Sequence, residues 1–280
     1  MILNIFQAQD EVNSMIIIKM KCNICHSTSL PLEKAVILNK YNIQYYSCGD
    51  CGFIQTEFPY WLEESYSSAI ARSDIGLIGR NIKLSSFCSA LIPMFYNPNL
   101  PSLDYGGGNG MFVRMMRDRG FDFYWYDKYA LNQFAEGFEA PQDKRYSLLT
   151  AFEVFEHLPQ PIEAIEEMFR YSDTLIFSTR LLPRWKIAPA DWWYFAPDTG
   201  QHIALYTRES LEFIAKKFNV RLSSNGISLH ALSPRSIPNV ILKTLSFSPF
   251  TWTLSRLLNI RRRSLLGHDY FRLTGRKLIR

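Results

Sequence analysis

A glycine-rich segment at residues 103–110 constrains the fold of this chain more than any other feature. It follows a short apolar stretch, contains the acidic Asp104, and has glycine at alternate positions up to Gly110. Glycine has no Cβ and tolerates positive φ, so the backbone of such a turn can approach a ligand closely. A helix is expected to begin at about Gly110, with its free N–H groups facing the same space. The segment predicts a strand, a loop and a helix around a nucleoside-like ligand.

The residues that follow fit this arrangement. Apolar residues recur at helical spacing after Gly110, and Gly120 is placed to end the helix. Residues 121–126 are aromatic and predict a second strand, with Asp127 at its end. In a doubly wound sheet, an acidic side chain at this point accepts hydrogen bonds from the hydroxyls of a ribose. Asp127 is therefore the predicted ribose acceptor.

The spacing of the glycines separates two classes of cofactor. The dinucleotide fingerprint is G-x-G-x-x-G, whereas this chain reads D-x-G-x-G-x-G. That pattern resembles the first motif of the class I S-adenosylmethionine-dependent methyltransferases. The resemblance implies that the loop holds the amino-acid end of the cofactor and that Asp127 holds its ribose. An ordinary glycine turn is the alternative. The implied loop residues are Asp104, Gly106, Gly107, Gly108 and Gly110.

The resemblance covers about residues 70–235 and implies a fold class. This is an α/β, Rossmann-like methyltransferase sheet, mostly parallel with an antiparallel last strand. Later strands are expected at 148–152, 174–178, 219–223 and 226–232, and helices at 75–96, from Pro161, and at 207–218. The helix at 75–96 would either close over the cofactor, bringing Asp74, Arg80 and Asn81 to the ligand, or present these residues on a solvated face.

Four cysteines predict a small N-terminal zinc ribbon. Two C-x-x-C pairs, Cys22/Cys25 and Cys48/Cys51, supply four thiolates for a tetrahedral structural zinc. Apolar segments at 35–38 and 43–46 predict a hairpin between the pairs. Disulfides in an exported domain and a redox motif are the alternatives. We favour zinc because no secretory leader is recognised and one metal explains both pairs.

The segment Glu153-Val-Phe-Glu156-His157 follows an apolar strand and supports two interpretations. In the first, Glu153 contacts the amino-acid end of the cofactor, beside Phe152, while Glu156 and His157 cap and brace the next helix. In the second, the segment binds a divalent metal, with His202 as a fourth ligand. An E-x-x-E-H segment is used in this way by some methyltransferases that act on quinone precursors or RNA, which the segment resembles. Such an ion lowers the pKa of a bound hydroxyl.

An aromatic segment at residues 192–203 follows the strand at 174–178. Loops at this edge of an open α/β sheet carry function, and this one resembles the substrate loop of methyltransferases that modify sugars and glycans. Aromatic faces stack on sugars or bases. We predict that His202 is the catalytic base and that Tyr194 orients the acceptor. The alternative is a packing loop in which His202 bonds to the backbone.

The last thirty residues are basic, with eight arginines or lysines and one acid, Asp269, between residues 251 and 280. Residues 241–266 are apolar and basic together, which is typical of a segment that contacts an anionic membrane or phosphorylated substrates. A C-terminal helix packed on the domain, with a solvated basic edge, is the alternative. A nucleic-acid partner is not expected, because the rest of the chain lacks a spread basic surface.

The predicted domains are a zinc ribbon at 15–58, a linker and helical cap at 59–97, an S-adenosylmethionine-binding domain at 98–235 and a basic amphipathic segment at 236–280. The predicted function is O- or C-methylation of a small molecule, namely a sugar, glycan or lipid-linked precursor. The alternatives are a metal-assisted RNA or quinone-type O-methyltransferase and a non-catalytic cofactor-sensing protein. A cytoplasmic location is expected, with the inner membrane surface as a peripheral site, because no apolar run approaches the length of a membrane span.

Overall fold

The computed structural model describes residues 19–66, 74–141, 143–183, 187–189 and 191–279. Residues 15–18 of the predicted zinc ribbon and 67–73 of the predicted linker lie outside these ranges. The described part of the chain contains strands and helices in this order: β1 (Met20–Lys21), β2 (Thr28–Ile37), β3 (Tyr41–Cys48), β4 (Ile54–Thr56), α1 (Leu62–Ser65), α2 (Leu77–Phe95), β5 (Ser102–Tyr105), α3 (Met111–Asp118), β6 (Phe123–Tyr126), β7 (Leu149–Phe152), α4 (Pro161–Tyr171), β8 (Leu175–Ser178), β9 (Ala204–Leu205), α5 (Arg208–Lys217), β10 (Arg221–Ser224), β11 (Leu229–Ser233), α6 (Asn239–Leu245), α7 (Ser248–Leu258) and α8 (Leu266–Thr274).

The larger sheet has six strands in the order β10-β11-β8-β7-β5-β6. Strands β6, β5, β7 and β8 are parallel, and β11 pairs antiparallel with both β8 and β10. This confirms the predicted α/β class with a mostly parallel sheet and an antiparallel last strand. The strands of a sheet covered on both faces bury alternate side chains on opposite sides. Accordingly, Leu175 and Phe177 of β8 join one buried cluster, whereas Ile176 joins the other.

No further strand of the larger sheet forms between β6 and β7 in the described residues there. Trp125 instead makes an isolated parallel bridge with Glu139. Gly137, with φ of +82°, and Pro141 lie on either side of this contact. Proline cannot donate a ladder hydrogen bond, so the pairing ends there.

The smaller sheet contains the predicted hairpin and one strand from far along the chain. Its order is β1-β2-β3-β4-β9, and the β2–β3 pairing confirms the hairpin. Strand β9 joins it through the pairs Ile54–Leu205 and Gln55–Ala204. The N-terminal ribbon is thus continuous with residues that follow the aromatic loop, across the boundary drawn at residue 58.

Helix α2 packs on the larger sheet, and the C-terminal segment packs outside it as three helices rather than one. Helix α7 packs on α2, and Asp269 of α8 is bound by Arg117 of α3. None of the helices within the described ranges combines the length and apolarity needed to cross a membrane.

Candidate active site

The glycine loop connects β5 to α3 and has the backbone that its sequence predicts. Gly106, Gly108 and Gly110 all have positive φ, and α3 begins at Met111. A Cβ on Gly106 would lie 2.5 Å from a methyl group of Val154, closer than side chains can approach. The loop therefore needs glycine for both its conformation and its packing.

Asp127 lies at the end of β6, directly beside this loop. One carboxylate oxygen accepts the Gly108 N–H at 2.9 Å, and the other accepts the N–H groups of Tyr129 and Ala130 at 2.7 and 2.8 Å. The indole N–H of Trp125 donates to the Gly108 carbonyl at 2.9 Å. The structure thus brings the predicted ribose acceptor and the predicted loop together at one edge of the sheet.

Asp104 lies beneath the loop rather than on its surface. It is 3% exposed and accepts a hydrogen bond from the Thr150 hydroxyl at 2.6 Å, joining β5 to β7. Burial raises the pKa of Asp104 to about 7, although the Thr150 hydrogen bond opposes this shift. Its contacts support the loop from below.

Phe152 and Glu153 lie at the end of β7, on the same edge of the sheet. Glu153 has φ of +55°, which is unusual for a residue with a Cβ. Its N–H donates to the Ser178 hydroxyl at 2.8 Å, and that hydroxyl donates to the Glu153 carboxylate. The guanidinium of Arg80, from α2, lies 4.0 Å from the other carboxylate oxygen. Arg80 therefore faces the site, as expected if α2 closes over the cofactor. The sequence carries no signal that singles out Ser178.

Glu156, His157 and His202 form a compact group next to these residues. One potential ligand atom from each lies within 4.8 Å of the others. His157 Nδ1 lies 3.1 Å from the Gln201 carbonyl, and His202 Nδ1 lies 2.5 Å from the Tyr194 carbonyl. A carbonyl partner makes Nδ1 the protonated nitrogen, so the Nε2 atoms carry lone pairs. Metal-binding histidines are oriented in the same way.

The carboxyl group of Glu156 is fully buried, and neither oxygen makes a hydrogen bond of 3.5 Å or less in the described part of the chain. The nearest donors are the hydroxyls of Tyr194 and Thr179, whose more distant interaction lowers the pKa of Glu156 slightly. Burial, with the nearby Glu153 charge, raises the pKa of Glu156 to about 8. Burial also lowers the pKa of His157 to about 3 and that of His202 to about 4. The two imidazoles are therefore neutral near pH 7.

The prediction that Glu156 and His157 cap the next helix is wrong. Helix α4 begins after Gln160 without a side-chain cap, and His157 bonds to Gln201 rather than to the helix. The physical reason is that residues 155–157 form a 3₁₀ turn that buries Glu156 against the aromatic loop. The metal interpretation also changes in detail, because Glu153 is bound to Ser178 and the group contains three ligands rather than four. One carboxylate and two neutral imidazoles suit a divalent transition metal.

The aromatic loop contributes one buried side chain and one exposed side chain to this site. The Tyr194 ring packs on His202 with 4.6 Å between centroids, and its hydroxyl accepts the Arg180 N–H at 3.0 Å. The side chain of Tyr194, which is predicted to orient the acceptor, is thus already bound by other residues of the protein. Trp193 is 68% exposed, with the Arg180 guanidinium 5.5 Å from its ring. Trp193 is the side chain of this loop that is free to stack on a ligand.

The four cysteines of the ribbon lie together as their spacing predicts. Cys22 and Cys51 sulfurs lie 3.6 Å apart, Cys25 and Cys48 sulfurs lie 3.4 Å apart, and all four lie within 4.8 Å of one another. Four sulfurs about 2.3 Å from a central zinc would be separated by roughly 3.8 Å. All four are free thiols rather than disulfides. The donor set and spacing fit a structural zinc.

The ribbon also contacts the loop that carries His202. Thr207 donates its hydroxyl hydrogen to the Cys51 carbonyl, and β4 pairs with β9 directly after His202 and Ile203. The Trp61 indole donates to the Gly200 carbonyl at 2.8 Å. These contacts position one side of the aromatic loop against the ribbon.

Comparison with known families gives the relationship of this fold to others. Residues 82–225 match the family described as "Methyltransferase domain", which is more than half of the chain. The chain belongs to the methyltransferase-domain family. The match includes the glycine loop, Asp127 and the Glu156 group, and it confirms the predicted relationship to class I S-adenosylmethionine-dependent methyltransferases.

Solved structures resemble this methyltransferase-domain protein at low sequence identity. CalO1, a methyltransferase of calicheamicin biosynthesis in its SAH-bound form, is 12% identical over 62% of this chain and 61% of its own, with a TM-score of 0.42. An O-methyltransferase family 2 protein from Planctomyces limnophilus, in complex with apigenin, is 12% identical over 62% and 65%, also with a TM-score of 0.42. The plantazolicin methyltransferase BpumL in complex with SAH is 12% identical over 62% and 90%, again with 0.42. The aligned part therefore spans less than two thirds of the first two chains. No curated protein matches the sequence.

Proposed function

We propose that this protein transfers a methyl group from S-adenosylmethionine to a small-molecule acceptor. The observation that carries the proposal is the placement of the glycine loop, Asp127 and the Glu156 group along one edge of the sheet. Ligands of open α/β folds bind at the carboxyl ends of the strands, where all three lie. The loop and Asp127 would hold the methyl donor, and the Glu156 group would face the acceptor.

The glycine loop, Asp127 and Glu153 supply the groups that binding of the donor requires. S-adenosylmethionine supplies a methyl group on a sulfonium, and transfer requires mainly the alignment of acceptor, methyl and sulfur. Asp127 offers carboxylate oxygens to the ribose, and the glycine loop permits close approach of the backbone. Arg80 and Ser178 fix Glu153 at the point where the amino-acid end of the donor is expected.

A metal-assisted O-methylation is the second candidate mechanism, and one observation favours it. The buried Glu156 carboxylate makes no hydrogen bond of 3.5 Å or less among the described residues, and burying a carboxylate without close partners is costly. Glu156, His157 and His202 would hold a divalent ion, which would bind an acceptor oxygen and lower its hydroxyl pKa. In the metal-free alternative, His202 accepts the acceptor proton at Nε2, because its Nδ1 is bound to the Tyr194 carbonyl.

We infer that the acceptor is a sugar, a glycan or a lipid-linked precursor. The exposed Trp193 ring beside Arg180 would stack on a sugar ring, and the arginine would bond to its hydroxyl or phosphate groups. A structural zinc at the four cysteines would hold the ribbon against the aromatic loop. We also propose that the protein is located in the cytoplasm, at the inner membrane surface.

The proposal is tested by transfer of a labelled methyl group into separate extracts of glycans, lipid-linked sugars, quinone precursors and RNA. We expect transfer into a sugar-containing fraction. Transfer into RNA alone would replace the acceptor class, and donor binding without transfer into any fraction would favour a cofactor-sensing protein. His202→Ala is expected to lower turnover while leaving donor affinity near normal.

Metal dependence separates the two mechanisms. The protein is treated with a chelator and dialysed, and its metal content is measured by elemental analysis. We expect two bound ions, the zinc of the ribbon and a second ion that Glu156→Gln removes. Full activity of a protein without the second ion would favour His202 as the base. Cys88→Ser is the matched control, because Cys88 is a buried thiol outside both groups.

A further inference from the structure

Helix α7 buries small polar side chains and exposes several of its large apolar ones. Thr251 and Ser255 are 1% and 2% exposed, and the Asn259 amide donates to the Ser89 carbonyl of α2. Leu257 and Trp252, by contrast, are 63% and 46% exposed. A surface helix of a water-facing domain normally has the opposite arrangement. Short polar side chains therefore face α2, and of the larger apolar side chains only Leu254 packs on the core.

The exposed apolar side chains continue on both sides of α7 and are joined by arginines. We call this surface the α7 face. No acid occurs between residues 236 and 268, so the segment that forms it has only basic charge. Soluble proteins rarely expose so many large apolar side chains together without a partner. The α7 face consists of Phe247, Phe250, Trp252, Leu257 and Ile260 with Arg256, Arg261 and Arg263.

The arginines of the α7 face have no carboxylate partner within 4.0 Å in the described ranges. The two acids that border them are already engaged, because Asp118 pairs with Arg114 and Asp122 pairs with Arg117. The Arg256 guanidinium instead lies 3.8 Å from the Trp252 ring centre. Unpaired cations flanking an exposed indole suit the headgroup region of an anionic membrane.

We infer that the α7 face docks on an anionic phospholipid bilayer. Its charge is complementary to such a surface, and its aromatic and aliphatic side chains would enter the boundary between headgroups and acyl chains. A nucleic acid would use the arginines but not Leu257 or Ile260. A protein partner would bind this surface in the absence of vesicles. The bilayer is the occupant that uses both chemistries of this surface.

A cavity connects this surface with the candidate active site. It has a volume of about 270 Å³ and is lined by Thr251 and Trp252 of α7, Phe87 of α2, and Glu153 and Ser178 at the sheet edge. Trp252 belongs both to the α7 face and to the cavity lining, so docking would place the cavity next to the membrane. Delivery of a lipid-linked acceptor by this route rests on the proposed function, whereas the docking itself does not.

Binding of the full-length protein to sedimented vesicles tests the inference. We expect binding to phosphatidylcholine vesicles that contain phosphatidylglycerol, weaker binding at high salt, and little binding to pure phosphatidylcholine. Arg261→Gln with Arg263→Gln should lower the partition coefficient about thirtyfold, since each basic residue contributes about 1 kcal/mol. Leu257→Ser with Ile260→Ser should lower it roughly tenfold or more.

Control variants carry changes of the same kind elsewhere on the surface. Lys34→Gln with Lys217→Gln removes two exposed charges, and Val36→Ser removes a side chain that is 56% exposed, both far along the chain from α7. Both controls should bind vesicles as the unchanged protein does. Equal loss in the controls would overturn the inference.

Three other results would also overturn the inference. These are equal binding to neutral and anionic vesicles, binding to RNA without binding to vesicles, and self-association through the α7 face without binding to vesicles. Because the assay needs no methyl transfer, a failed transfer reaction leaves this test unaffected. Circular dichroism confirms that each variant remains folded.

Discussion

Replacement of Asp269 by asparagine should destabilise the protein strongly, because Asp269 anchors α8 to α3. Its carboxylate accepts three hydrogen bonds, two from Arg117 at 2.8 and 2.7 Å and one from Arg114 at 2.8 Å. The side chains of Asp269 and Arg117 are each 2% exposed. Asparagine preserves the shape but removes the charge, so the Arg117 guanidinium loses its main buried partner.

The expected magnitude follows from this burial. Breaking a buried ion pair from one side costs about 3–5 kcal/mol, because the remaining charge stays out of water. Arg117 keeps two further partners, Asp122 at 2.6 Å and the Phe123 carbonyl at 2.9 Å, which places the expected loss at the lower end, about 3 kcal/mol. For 280 residues the unfolding entropy is about 0.6 kcal/mol/K, so the midpoint of thermal unfolding should fall by about 5 °C.

Urea unfolding followed by circular dichroism gives the measurement, and Asp173→Asn is the matched control. Asp173 pairs with Arg145 at 2.6 Å, but both side chains are more than half exposed. Exposed pairs contribute less than about 1 kcal/mol. If Asp269→Asn costs no more than Asp173→Asn, the reasoning is refuted.

The same pair gives a dependence of stability on pH. Burial would raise the pKa of Asp269, but the hydrogen bonds and charges of Arg117, with Arg114, outweigh burial and lower it. A lowered pKa in the folded state means that the stabilisation is present above the ordinary aspartate pKa. It is lost as the pH falls through the folded-state value. The stability difference between the unchanged protein and Asp269→Asn should therefore shrink in acid.

Three further predictions concern the candidate active site. Gly106→Ala should cost about 1–2 kcal/mol of unfolding free energy from its positive φ alone, plus the contact with Val154, as measured by urea unfolding; an unchanged stability would contradict this. Glu156→Gln should weaken binding of a divalent ion by roughly a hundredfold or more in a competition titration, since even outer partners of metal ligands contribute about 10–100-fold. Equal affinity of the variant would show that Glu156 is not a metal ligand. Because burial lowers the pKa of His202 to about 4, kcat/KM should show no step from this histidine near about pH 6.5, and a step that His202→Ala abolishes would contradict this.

The sequence predicts those parts of the fold and site that depend on neighbouring residues. The alternating glycines determine the loop through their own φ values, and Asp127 follows from the end of an adjacent strand. The two C-x-x-C pairs likewise place their own thiols. In each case, residues that are close in the sequence are also close in the fold.

Features that depend on distant residues could not be predicted in this way. The pairing of β4 with β9 joins residues about 150 positions apart, and no local pattern specifies it. The periodicity of the Glu153–His157 segment does not reveal that Ser178 binds Glu153 while Glu156 turns inward. Helix α7 buries Thr251 and Ser255 against the protein and bonds through Asn259 to the Ser89 carbonyl of α2, so its apolar positions alone do not identify its buried face.

Calorimetry with S-adenosylmethionine measures whether the glycine loop and Asp127 bind the methyl donor. The unchanged protein should bind S-adenosylmethionine and its demethylated product. Asp127→Ala should weaken both by about 10–100-fold, since hydrogen bonds to a charged group contribute about 1.5–3 kcal/mol. Absence of binding by the unchanged protein, or equal affinity of the folded Asp127→Ala variant, would contradict the account.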